Sequence, residues 1–166
     1  RLFRQERLHD WDGVFERMAD DLRRRLAPAP RKAVAVEVAP GELIDRLTIL
    51  DIKAGRVTDP AKLRHVRVEL AALRNAHDRD VPPSPELAAL TAELRAVNEA
   101  LWEIEDEIRR CERDQDFGPR FVELARSVYR TNDRRAALKR RINELLGSDL
   151  VEEKEHPDYT RKPAAP

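Results

Sequence analysis

From Leu87 onward the chain places apolar residues at alternating steps of three and four: Leu87, Leu90, Leu94, Val97, Leu101, Ile104, Ile108 and Cys111. That alternation keeps every one of them on a single stripe of a helix, and a stripe sustained for eight positions is a packing seam. It predicts a helix over about 86–113. The loop Asp114-Gln115-Asp116-Phe117-Gly118-Pro119 ends it, and a second seam follows in Phe121, Leu124, Val128, Thr131, Arg135, Leu138, Ile142 and Leu145. This predicts a helix over about 119–146, closed by Gly147. Folded back on each other, the two put Cys111 opposite Phe121, Ile108 opposite Leu124, and so on to Leu87 opposite Leu145, with no residue slipped. A mainly α fold is therefore expected, dominated by a long antiparallel helical hairpin.

Upstream the pattern is shorter and more broken. Leu43, Leu47, Leu50, Ala54 and Val57 form a helical stripe behind Pro40-Gly41-Glu42, a sequence suited to a first helical turn. Asp59-Pro60 then restarts a helix carrying Leu63, Val66, Leu70 and Leu73, so a short helix pair should join the hairpin in a bundle. Trp11, Val14, Phe15, Met18 and Leu22 predict one more helix, between Asp10 and Leu26. Prolines at 28 and 30 make 27–32 a linker. Ala33 to Val38 alternates small and β-branched residues and predicts one short strand, which must borrow an edge. The expected organisation is a terminal helix at 1–26, the linker, a helical domain at 33–150, and a polar, poorly ordered tail at 151–166.

Charge changes the picture locally. Lysine plus arginine and aspartate plus glutamate each number 32, so no global field draws in nucleic acid or an anionic membrane. The two seam helices divide this neutrality unevenly. Residues 86–114 carry four basic and nine acidic side chains, and 118–146 carry eight basic and three acidic. The pair should attract along its length, although each exposed ion pair contributes at most about 1 kcal/mol and burial of the seam must carry the stability. One cysteine excludes an internal disulfide, and neither a signal peptide nor an apolar run long enough to span a bilayer is present, which points to the cytoplasm. The opening at Arg1, in mid-pattern, suggests a piece of a longer polypeptide.

The second seam breaks its own rule at Thr131 and Arg135, within the polar run Tyr129-Arg130-Thr131-Asn132-Asp133-Arg134-Arg135. In the hairpin register these two face Leu101 and Val97, with Asn98, Trp102 and Glu105 flanking. A guanidinium in that position needs a carboxylate or several carbonyls. It belongs to a satisfied polar layer that sets helix register or snorkels to water past a wet seam, or Arg135, Arg134 and Lys139 bind an anionic ligand such as a phosphate or carboxylate, or it contacts a third helix. The candidate ligand-binding residues are thus Asn132, Asp133, Arg134, Arg135, Lys139, Asn98, Trp102 and Glu105, and a second polar patch is Glu42, Asp45 and Arg46. No metal site is expected: Glu153 and His156 have ligand spacing but no second pair, and the acids around Asp116 lack the glycine of a calcium loop. No phosphate loop or nucleophile triad is legible, so no cofactor is implied.

Two stretches resemble known families. RLFRQ followed by DWDGVFERMADDLRRRL resembles the C-terminal end of heptosyltransferase-like, two-Rossmann-domain bacterial glycosyltransferases linked to tetratricopeptide repeats. That resemblance implies a last helix packing against Rossmann domains, and it brings no donor-binding or catalytic residue into this chain. VEVAPGELIDRLTILDIK, NEALWEIEDEIRRCE and DFGPRFVELARSVYRTNDRRAALKRRINELLGS resemble a bacterial helical family of unknown function associated with surface-polysaccharide genes. The shared motif residues are Gly41, Glu42, Asp45, Glu105, Asp106, Gly118, Pro119, Arg120, Asn132, Asp133 and Arg135.

The expected function is a non-catalytic accessory or interaction domain attached to a bacterial glycosyltransferase of cell-surface glycan assembly. Its partners would be that glycosyltransferase domain, another protein or a second copy, without nucleic acid. Two alternatives come from other classes. One is a small helical enzyme, since ELIDRLTIL resembles the first helix of chorismate mutases, although Gly55 and Pro60 interrupt the helix that fold needs. The other is a purely structural coiled-coil module.

Overall fold

The computed structural model describes residues 11–26, 34–150 and 153. The expected linker at 27–32 and the tail at 151–166, Glu153 excepted, lie outside them. Five helices run in the order α1 (Asp12–Leu26), α2 (Pro40–Arg56), α3 (Pro60–Asp80), α4 (Pro85–Arg113) and α5 (Pro119–Leu145). The chain divides into two compact units, Arg1–Glu37 and Val38–Pro166.

In the first unit, α1 buries Val14, while Trp11, Phe15, Met18 and Leu22 are between 45% and 60% exposed. Four of the five residues expected to be its apolar face are therefore exposed.

In the second unit every helix begins on proline: Pro40, Pro60, Pro85 and Pro119. The first helical residue has no intrahelical use for its N–H, so the ring costs nothing there and its fixed φ favours the helix. Side chains cap two of these starts. Asp59 accepts from the N–H groups of Ala61 (2.8 Å) and Lys62 (3.0 Å), and the Ser84 hydroxyl accepts from Leu87 N–H at 3.1 Å. Two ends close alike. Ser148 N–H returns to Asn143 O (2.9 Å) around Gly147, whose φ is +65°, and Asp116 N–H returns to Cys111 O (2.9 Å) around Gln115, whose φ is +53°.

The core joins Ile44 of α2 and Val81 to Leu87, Leu90, Leu94, Val97 and Leu101 of α4 and Leu138 and Ile142 of α5. Leu94 and Ile142 are completely enclosed. A second cluster, Leu47, Leu50 and Leu70, with Val66 and Leu73 against it, fastens α3 to α2. α2 is thus the central helix, touching α3, α4 and α5, whereas α3 packs on α2 alone among the described residues. α4 and α5 make the most extensive pairing. Ion pairs join them at Glu107–Arg120 (3.9 Å) and Glu93–Arg141 (3.6 Å).

Two expectations change. The short strand is absent: residues 34–38 carry no regular secondary structure, and Val34 and Val36 are 89% and 73% exposed. β-branched alternation suits a pleated, half-buried surface, and no sheet edge lies among the described residues to provide one. The seam is also unevenly buried. Ile104, Ile108, Phe121 and Val128 are only partly covered, because α2 stops at Arg56, whose guanidinium meets Glu103 at 2.5 Å. Beyond that point α4 and α5 have no third helix among the described residues.

Candidate functional site

The line where α2 crosses α4 and α5 is polar, and its geometry begins at a glycine. A Cβ on Gly41 would lie 2.6 Å from the carbonyl oxygen of Lys139 and 2.8 Å from Asn143 Oδ1, so only glycine lets the start of α2 rest against the α5 backbone. Its N–H, one of the donors a helix start leaves without an intrahelical partner, donates to Asn143 Oδ1 at 2.7 Å. Beside it the Lys139 ammonium pairs with Glu42.

One turn further, Asp45 is buried, its side chain 4% exposed. Arg135 grips it in a two-point fork: Nε donates to Oδ1 at 2.9 Å and Nη2 to Oδ2 at 2.5 Å. Asn98 of α4 donates from Nδ2 to the same Oδ1 at 2.8 Å and to Thr48 Oγ1 at 2.9 Å, while the Thr48 hydroxyl donates back to Asp45 O at 2.8 Å. One carboxylate thereby ties three helices. The local reason is helical spacing. Gly41, Asp45 and Thr48 stand four and three apart on α2, and Arg135, Lys139 and Asn143 stand four apart on α5, so each set shares a face.

Fork-on-carboxylate bonding is the strongest arrangement these groups have, and burial strengthens it, but desolvating both charges offsets most of the gain. The cluster is therefore a device for choosing one arrangement. Sliding α2 by a single residue would strand Asp45 without its fork and drive a side chain into Lys139 O. Chemically the arrangement is a closed clasp: the Arg135 fork is directed at a carboxylate of its own chain.

The two sequence-predicted patches partly merge. Asn98, Arg135, Lys139, Glu42 and Asp45 come together, although Arg135 was expected opposite Val97 and reaches α2 instead. The others go elsewhere. Arg46 turns outward to Glu69 (2.5 Å), Trp102 lies under the Arg56 guanidinium at 5.4 Å, and Glu105 pairs with Arg109 at 2.9 Å. Asn132 and Asp133 are half-buried and Arg134 is exposed. Thr48 and Asn143 were missed as participants. Their signal was a small polar residue one further turn along from Asp45 and from Lys139, which is visible only once those two residues are known to meet.

Against known proteins, residues 34–165 match the model of a family of unknown function, DUF6165. The chain belongs to this family. Both halves of the clasp, and all of α2 to α5, fall inside the DUF6165 region. No curated protein and no solved structure matches the chain. Among the described residues no helix is long and apolar enough to cross a membrane.

Proposed function

We propose that the DUF6165 region is a non-catalytic accessory or interaction domain, attached to or working beside a bacterial glycosyltransferase of cell-surface glycan assembly, on the cytoplasmic side where activated sugars are made. The observation that carries the non-catalytic part is the closure of the clasp. The residues best suited to hold an anionic substrate, Arg135, Lys139 and Asn98, are bonded to Asp45, Glu42 and Thr48 of the same chain. An arrangement of that kind stiffens a platform. On this reading α4 and α5 form one antiparallel hairpin that serves as the platform's spine.

The attachment is supported by α1. A helix with Trp11, Phe15, Met18 and Leu22 all largely exposed has an apolar stripe suited to the surface of a neighbouring globular domain. The resemblance of its sequence to the end of a two-Rossmann glycosyltransferase agrees with that use.

The test is genetic and biochemical. The gene is deleted in its host, surface polysaccharide is measured, and the natural full-length protein is restored with an affinity tag, either unchanged or carrying Trp11→Ser with Phe15→Ser. The expected result is loss of surface glycan on deletion, rescue by the unchanged protein with a glycosyltransferase activity recovered on the tag, and failure of both with the double variant. Unaltered glycan and no glycosyltransferase activity on the tag would sink the proposal.

A further inference from the structure

α3 is the outlying helix of the bundle, held among the described residues by α2 alone, through Val66, Leu70 and Leu73. Leu70 is its sole buried residue. The opposite side presents Arg64, Arg67, Val68 and Ala71, all exposed, at the i, i+3, i+4, i+7 spacing of one helical face. Lys62, also exposed, is two residues from Arg64 and so points to another side of the helix.

These cations differ from most in the molecule. Every arginine of α4 has a carboxylate partner: Arg95 with Glu99, Arg109 with Glu105 and Asp106, Arg110 with Glu107, and Arg113 with Asp114. Arg64 and Arg67 have no side-chain hydrogen bond or ion pair among the described residues. The first turn of α3 contains no acid. The cap carboxylate of Asp59 is engaged with two backbone N–H groups. Val68, 67% exposed, adds an apolar anchor in the middle of the charged face.

We infer that this face of α3 docks an acidic helical segment of a partner protein. Two carboxylates one turn apart would answer Arg64 and Arg67, which stand about 4.5 Å apart along the helix axis. A small apolar side chain between those carboxylates would pack on Val68 and Ala71. Charge complementarity selects an acidic partner. A nucleic acid is a poorer match, because two cations neutralise few phosphates, the chain's net charge of zero provides no long-range steering, and Val68 has no counterpart in a phosphate backbone. This surface is separate from α1, and the inference stands whether or not the neighbour is a glycosyltransferase.

The experiment uses the full 166-residue chain and a fluorescein-labelled acidic helical peptide with glutamates at i and i+4 around a leucine, read by anisotropy at low salt. Saturable binding is expected, weakened about tenfold or more by Arg64→Glu with Arg67→Glu, and weakened by Val68→Asp. Arg95→Glu on α4 should leave it unchanged, with circular dichroism confirming that each variant is folded. A single-stranded oligonucleotide and anionic phospholipid vesicles go through the same assay, and light scattering follows the mass of the chain. No saturable peptide binding, binding indifferent to Arg64 and Arg67, equal or tighter binding of oligonucleotide or vesicles, or a dimer abolished by the α3 variants would each overturn the proposal.

Discussion

Replacing Arg135 or Asp45 by leucine, singly and together, tests whether the clasp is built on asymmetric burial. Arg135→Leu leaves the Asp45 carboxylate, 4% exposed, with the Asn98 amide as its remaining side-chain donor among those described, and an uncompensated buried charge of this kind costs about 3–5 kcal/mol. Asp45→Leu leaves a guanidinium that is already 29% exposed and can extend along its own stem to water. Its cost is the acceptor lost to Asn98 and the imperfect fit of leucine, about 1–3 kcal/mol. The double variant removes both charges and should fall well short of the sum, with a coupling of about 2 kcal/mol. Thermal unfolding of the full chain, followed by circular dichroism at the helix band, reads all four proteins. For a chain of this length 1 kcal/mol moves the midpoint by about 2–4 °C, so Arg135→Leu should lower Tm by about 10 °C. Equal costs for the two single variants would refute the burial argument, and strict additivity would refute the pairing.

Three further expectations concern how the backbone and core are arranged. Gly41→Ala drives a methyl into Lys139 O and should cost about 1–3 kcal/mol, whereas Gly55→Ala, with open space around the added carbon, should stabilise the last turn of α2 by about 0.5–1 kcal/mol in the same unfolding assay. Gln115→Gly relieves a side chain held at φ +53° in the α4–α5 loop and should raise stability by about 0.5–1 kcal/mol, with circular dichroism unchanged. Leu94→Ala, at a fully enclosed position, should cost about 3–5 kcal/mol, while Ile108→Ala, on the stretch that α2 does not reach, should cost less than half as much. Equal losses would mean that the far end of α4 is covered in solution.

The helices were legible because their signals are local. Apolar residues at steps of three and four from Leu87 to Cys111 encode a stripe whatever else surrounds it, and proline at the starts of α2 to α5 with Gly147 at the last end acts through a single residue's dihedral. Arg135 was conspicuous for the same reason, as a charge on an apolar line. Its partner was not legible, since Asp45 lies 90 residues away, on a helix whose place in the bundle no local pattern specifies. The strand expected at 33–38 failed for a related reason. Alternating valines express a preference for a pleated surface, and only a neighbouring edge turns that preference into a strand.

The sequence by itself determined where the chain turns helical, where it stops, and which side of each helix is apolar, since these follow from the geometry of one helix. The tertiary structure decided which helix lies against which, that glycine at 41 brings α2 onto the α5 backbone, and that Asp45, Asn98 and Arg135 form one buried clasp. Those choices depend on burial and on pairings across long stretches of chain. Their energies exist only once the partners are brought together and water is excluded.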